Sequence, residues 1–179
     1  MLRHADPDRD AAACAAIYAP YVEGRGTSFE ESPPTPAELS ARIERISASH
    51  AWLVAEIGGE VAGFAYASPH RERRAYRWTA ETSVYVGGSH QRNGVGRSLY
   101  SGLLDLLVRQ RVHVACAGIT LPNDASVALH EALGFELVGT YREIGFKAGA
   151  WRDVSWWQRI LGRADAGRPP EPLGPQRLR

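Results

Sequence analysis

One lysine, Lys147, stands among 21 cationic residues, so nearly all the positive charge is arginine. Genome composition and a need for planar, bidentate donors explain this equally well. Cysteine is almost as scarce. Cys14 and Cys116 are too few and too far apart for a zinc cluster or a disulfide framework, and a reducing cytoplasm is expected. No apolar run approaches the roughly 20 residues of a membrane span. The start, MLRHADPDRD, places acids and a proline where a secretory signal carries an apolar stretch. Neither sign of charge is in excess: 21 Lys plus Arg against 20 Asp plus Glu leave +1. That balance removes the main electrostatic case for a dedicated nucleic-acid binder, so any anionic ligand has to be met locally.

What is present is the composition of a folded domain, with 44% hydrophobic and 23% charged residues in 179. This length suits one core. Residues 1–161 read as a single domain. After Leu161 the run GRADAGRPPEPLGPQRLR has almost nothing to bury and reads as a mobile tail over 162–179. Ala11 to Tyr21 has helical character. Thr35 to Ser47 predicts a helix with Thr35 as cap, Pro36 in the first turn and Glu38 three residues after the cap. Trp52 to Ile57 and Val61 to Ala67 predict a hairpin turning at Gly58-Gly59. Thr79 to Val86 reads as a strand, Gly87 to Gly96 as a turn, and Arg97 to Gln110 as a helix. Strand Val112 to Thr120, helix Ala125 to Leu133 closed by Gly134, and strands Phe135 to Tyr141 and Asp153 to Ile160 complete the order. The fold class is therefore α/β (α+β): a mixed sheet with helices on its faces.

Gln91-Arg92-Asn93-Gly94-Val95-Gly96 lies between an apolar strand and a helix start at Arg97, where unpaired N–H groups attract a phosphate. The spacing matches neither the triphosphatase loop nor the dinucleotide fingerprint. Four further stretches accompany it: YRWTAETSVYV (76–86), HQRNGVGRSLY (90–100), LPNDASVALHEALGF (121–135) and GFKAGAWRDVSWWQ (145–158). Together they resemble the GCN5-related N-acetyltransferase superfamily. More narrowly, they resemble its phosphinothricin and methionine sulfoximine N-acetyltransferases, over all but the N-terminal helix and the tail.

The resemblance implies a mostly antiparallel central sheet and amide formation. An amine attacks the thioester of acetyl-coenzyme A, a tetrahedral intermediate forms, and coenzyme A leaves as a thiolate by direct transfer in a ternary complex. It implies that Arg92, Asn93, Gly94, Val95, Gly96 and Arg97 hold the pyrophosphate. Val84, Tyr85 and Val86 would pair with the pantetheine arm, Asn123 would hold its other side, and the Val86 N–H would face the thioester oxygen. Glu81 would be the base, its pKa raised by desolvation in a central strand. His130 stands where many members carry a tyrosine; it would either donate to the thiolate, with Tyr85 and Tyr141 as rivals for that acid role, or help take the amine proton. By family position Phe29, Arg71, Arg73, Tyr76, Glu81, Thr82 and Ser83 would contact an amino-acid-like amine. Arg71 replaces a lysine and His70 an aromatic residue of that branch.

Trp151, Trp156, Trp157 and Phe146 are assigned to core or dimer surface, since relatives are commonly homodimers. No metal, nucleic acid or membrane is expected. Transfer to a protein N-terminus, lysine or polyamine is the alternative within the fold. A coenzyme A-binding sensor without turnover is the alternative outside catalysis.

Overall fold

The computed structural model describes residues 1–24, 27–162, 167 and 169–175. The elements follow the chain as β1 (Leu2–His4), α1 (Pro7–Glu23), α2 (Pro36–Ser47), β2 (Trp52–Ile57), β3 (Glu60–Pro69), β4 (Thr79–Val86), α3 (Val95–Arg109), β5 (Val114–Thr120), α4 (Asp124–Ala132), β6 (Glu136–Lys147) and β7 (Ala150–Ile160). Single helical turns at Arg74–Tyr76 and Gly88–His90 flank β4.

The helix starts follow from local chemistry. Asp6 caps α1 by accepting from the N–H groups of Asp8 and Arg9. Thr35 and Glu38 form the expected reciprocal capping box on α2. Strand β1 escapes the sequence reading because three residues show no alternation; it is held by pairing with β2.

The seven strands lie in the order β1, β2, β3, β4, β5, β7, β6. Every pair is antiparallel except β4 and β5, which run parallel for only three residue pairs, ending at Glu81 and Cys116. Beyond that point the two strands diverge, and the sheet opens into a gap. Helices α1 and α2 cover one face, burying Tyr18, Val22, Leu39 and Ile43 against Trp52 and Phe64. Helix α3 covers the other, with Leu99, Leu103, Leu106 and Leu107 fully buried.

Two readings change. The strands expected over 135–141 and 153–160 extend into one long hairpin closed at Ala148 and Gly149, both at positive φ. The C-terminal segment expected to be mobile is docked where it is described. Glu171 pairs in two-point fashion with Arg77, the Pro170 carbonyl accepts from Trp78 Nε1, and the Leu173 N–H donates to the Gln110 carbonyl. The remainder of that expectation falls on residues 163–166, 168 and 176–179, outside the described residues. No helix among the described residues is long and apolar enough to cross a membrane.

Candidate active site

The site is built on the divergence of β4 from β5. Gly87 N–H crosses to the Ala62 carbonyl of β3, so strand alternation turns the N–H and C=O of Val86 and Val84 toward the gap. A cavity of about 510 Å³ fills it, lined by these residues, by Gln91, Arg92, Gly94, Gly96 and Arg97 and by Gly118, Asn123 and His130; of the expected loop residues, Asn93 is not in the lining and Val95 is buried in the core. At its mouth α3 begins two residues earlier than expected, with Gly94 as its cap at φ 79° and no side chain bonding its first N–H groups. Arg92 and Arg97 are exposed beside it. A strand edge, an uncapped helix start and two cations are the donor set a diphosphate-bearing, amide-rich ligand requires.

Several expected residues are placed differently. Tyr85 directs its backbone to Phe64 of β3 and its ring into Tyr18, Tyr21 and Phe64, so it offers the gap neither a peptide edge nor an acid. Burial raises its phenol well above the ordinary value. Val86 N–H already donates to the Tyr21 hydroxyl at 3.2 Å, while that hydroxyl donates to the Val86 carbonyl at 2.7 Å. Tyr21 is thus a site residue the sequence reading missed, because it sits inside an ordinary amphipathic helix. Asn123 caps α4 by accepting from Ser126 N–H. Tyr141 lies on the edge strand, 54% exposed.

Glu81 and His130 do not meet. Ala80, Thr82 and Val84 face α3, whereas Glu81 and Ser83 face the side of α1 and α2, where Tyr66 bonds to Ser83. Glu81 is not desolvated as expected: a third of its side chain is exposed, and His70 Nδ1 lies 2.8 Å from its Oε1. The imidazole of His70 stands edge-on to Tyr76 and Trp156. Trp156, expected in core or dimer surface, therefore belongs to this wall. Trp157 is core, and Trp151 is exposed beside Phe146.

On the other face His130 is 4% exposed. Its Nδ1 bonds the Ser126 carbonyl at 2.7 Å, and its Nε2 lies 2.9 Å from the Tyr100 hydroxyl. The carbonyl only accepts, so Nδ1 carries a proton. Tyr100 bonds in turn to Thr82, whose hydroxyl also reaches the Cys116 carbonyl. Thr82 therefore lines the cavity but turns its polar atom to α3, away from Glu81. Burial holds the His130 imidazole below its ordinary 6.5, partly offset by the Ser126 bond. An unfolded His130 then takes up its proton first as pH falls, so stability drops from about pH 6.5 downward, levelling off below the folded value. His50, also lowered by burial, acts in the same direction. Thermal melts from pH 7.5 to 5 should show a falling midpoint with a shallower slope in His130→Gln; equal slopes would exclude His130 as a source.

Arg71, Arg73 and Tyr76 line a second cavity of about 1010 Å³ with His70, Arg74 and Arg77. Phe29 lies instead over Gly145 of β6, where a Cβ would come within 2.5 Å of its ring, so only glycine admits it there. Its loop is pinned by Arg42 and Tyr18 on the Glu30 carboxylate and by Lys147, the lone lysine, on the Glu30 carbonyl. No group of three or more His, Cys, Asp or Glu among the described residues is placed to hold a metal.

A mixed sheet splayed at one parallel pair, with a glycine-capped helix start at the splay, defines an acyl-transfer fold. Residues 4–156 match the acetyltransferase (GNAT) domain family, and the chain belongs to it. It is an N-acetyltransferase of the phosphinothricin acetyltransferase-like kind. It is 45% identical over 166 residues to the phosphinothricin N-acetyltransferase of Streptomyces viridochromogenes, covering 93% of this chain and 89% of that one. It is 34% identical over 148 residues to the L-methionine sulfoximine/L-methionine sulfone acetyltransferase of Pseudomonas aeruginosa, covering 82% and 86%. The crystal structure of a GNAT superfamily phosphinothricin acetyltransferase from Sinorhizobium meliloti with AcCoA superposes with a TM-score of 0.90 at 36% identity, covering 96% and 93%.

Proposed function

We propose that this chain transfers acetyl from acetyl-coenzyme A directly, in a ternary complex, to the α-amine of a small amino-acid analogue of the phosphinothricin or methionine sulfoximine type. The observation that carries the reading is a pair of cavities on the same strand: one along Thr82 to Val86 of β4, with donors for phosphate and peptide groups, the other at Thr79, the first residue of β4, rich in arginine. The first fits acetyl-coenzyme A through the α3 start and the gap-facing edge of Val84 and Val86. Bound there, it supplies the acetyl group as a thioester. Asn123 flanks the arm, and the Val86 N–H serves the thioester oxygen once Tyr21 yields it.

Arg71 and Arg73 in the second cavity present guanidinium forks suited to a carboxylate, and Tyr76 walls the site. An α-amino acid carries its amine two bonds from its carboxylate carbon, which brings the amine to the Glu81 side of the strand. Glu81 provides the basic end, with Ser83 beside it and Phe29 on the adjoining loop. For His130 the geometry supports a positioning role better than that of an acid. Burial disfavours a stored proton, and both ring nitrogens are engaged in holding Ser126, Tyr100 and, through Tyr100, Thr82.

The test is thiol release from acetyl-coenzyme A with methionine sulfoximine, methionine sulfone, phosphinothricin, free amino acids, spermidine and a lysine peptide. Release with the first three is expected. Acetylation of the lysine peptide alone would overturn the substrate class, and no release with any amine would favour the sensor reading. Arg73→Ala should raise the KM for the preferred analogue roughly 10- to 100-fold, one charge-assisted pair, with the KM for acetyl-coenzyme A unchanged.

We also propose a homodimer through the β6–β7 hairpin. Val138, Tyr141, Ile144, Phe146 and Trp151 are each more than half exposed, on or beside a twelve-residue edge strand. A monomer in sedimentation at micromolar concentration would remove this reading.

A further inference from the structure

The 2.8 Å contact between His70 Nδ1 and Glu81 Oε1 has a direction that chemistry settles. A carboxylate oxygen only accepts, so a proton lies on Nδ1, and an imidazole holding that one proton presents Nε2 as its acceptor. The ring cannot easily turn, because Tyr76 and Trp156 stand edge-on to it at centroid distances of 5.7 and 6.0 Å. His70 is 17% exposed and lines the arginine-rich cavity, whereas Glu81 borders neither cavity wall directly. Glu81 keeps a third of its side chain exposed, but of the two groups it is the imidazole that lines the arginine-rich acceptor cavity.

We propose that His70 and Glu81 form a base dyad, in which His70 Nε2 takes the proton of the substrate ammonium while Glu81 fixes the tautomer and stabilises the imidazolium. The proposal deepens the reading above, on which it rests: Glu81 supplies the basic end through His70. In the step, one N–H bond of the ammonium breaks and its proton bonds to Nε2. The nitrogen keeps the electron pair with which it attacks the acetyl carbon, and the imidazolium then releases the proton to water in the arginine-rich cavity. A carboxylate behind an imidazole is the orienting arrangement of hydrolase triads, reached here from two neighbouring strand ends. Arg71, Arg73, Arg74 and Arg77 around the cavity favour departure of that proton.

The test separates the dyad from the function on which it rests. Nitrogen-15 NMR of the unliganded protein should show His70 protonated at Nδ1 and bare at Nε2, a signature lost in Glu81→Ala; the opposite tautomer would overturn the dyad whatever the activity. His70→Asn keeps a donor to Glu81, and His70→Phe keeps the flat ring, but neither keeps the base. In both, kcat should fall about 10²- to 10³-fold with acetyl-coenzyme A affinity held within about twofold, and free imidazole should restore part of the rate to His70→Ala. Wild-type rates in His70→Asn would leave Glu81 as the sole base and overturn the dyad alone. A wild-type chain that releases no thiol with any amine overturns the transferase reading and the dyad's catalytic role together.

Discussion

Glu81→Gln should lower kcat by about 10² to 10⁴ while leaving the affinity for acetyl-coenzyme A within about twofold of wild type. The two halves of this outcome follow from where the side chain lies. Gln retains a carbonyl that accepts from His70 Nδ1, so the 2.8 Å contact and the packing of His70 on Tyr76 and Trp156 survive. What is lost is the negative charge that makes proton uptake favourable. The cavity proposed for the cofactor has Arg92, Gly94, Gly96 and Arg97 at its mouth, outside β4, and these should not sense the change. Single-turnover rates with calorimetric binding of acetyl-coenzyme A separate the two effects. An unchanged turnover number would take Glu81 out of the mechanism, and a parallel loss of cofactor affinity would make it structural.

Asp10→Ala is expected to give the largest loss of stability, about 3–5 kcal/mol, or roughly 6 to 20 °C in melting temperature for a domain of this size. Asp10 is 1% exposed in α1 and takes two guanidinium bonds from Arg3 of β1, at 2.6 and 2.7 Å, and one from the Asp6 N–H. Burial alone would oppose its charge, but these donors outweigh it and hold its pKa below the ordinary carboxylate range. Its contribution is therefore present above the unfolded value and lost as pH falls through the folded one. Removing the carboxylate leaves Arg3 with the His4 carbonyl and Glu56, a carboxylate that it shares with Arg9. The effect reaches the site because α1 also carries Tyr21, the partner of Val86. Urea unfolding checks the magnitude; a loss under 1 kcal/mol would mean that solvent replaces Asp10.

Much of the fold was legible because its signals are local. The capping box at Thr35 and Glu38, the glycine pair between β2 and β3, and the leucine spacing of α3 depend on residues within one turn or one hairpin of each other. The long β6–β7 hairpin was half read, because its outer strand is exposed along nearly its whole length and shows no buried alternation. The docked segment at Glu171 was missed for a related reason. A proline-rich stretch carries no period, and its fit to Arg77 and Trp78 exists only after β4 has been placed.

The candidate site divides in the same way. Sequence alone determined that a glycine turn precedes α3, that a carboxylate lies in β4, and that arginines cluster just before it, since each is a property of consecutive residues. Tertiary structure alone decided which of these meet. The pleat sends Glu81 and Thr82 to opposite faces of one strand, so His130 joins Tyr100 and Thr82 rather than Glu81. The crossing of β3 with β4 sets Ser68 opposite Glu81 and brings His70, two residues on, against the carboxylate. The divergence of β4 from β5 after three pairs exposes the edge of Val84 and Val86. Pairing register and strand divergence are set by the packing of both helical layers at once, and no local stretch of sequence encodes them.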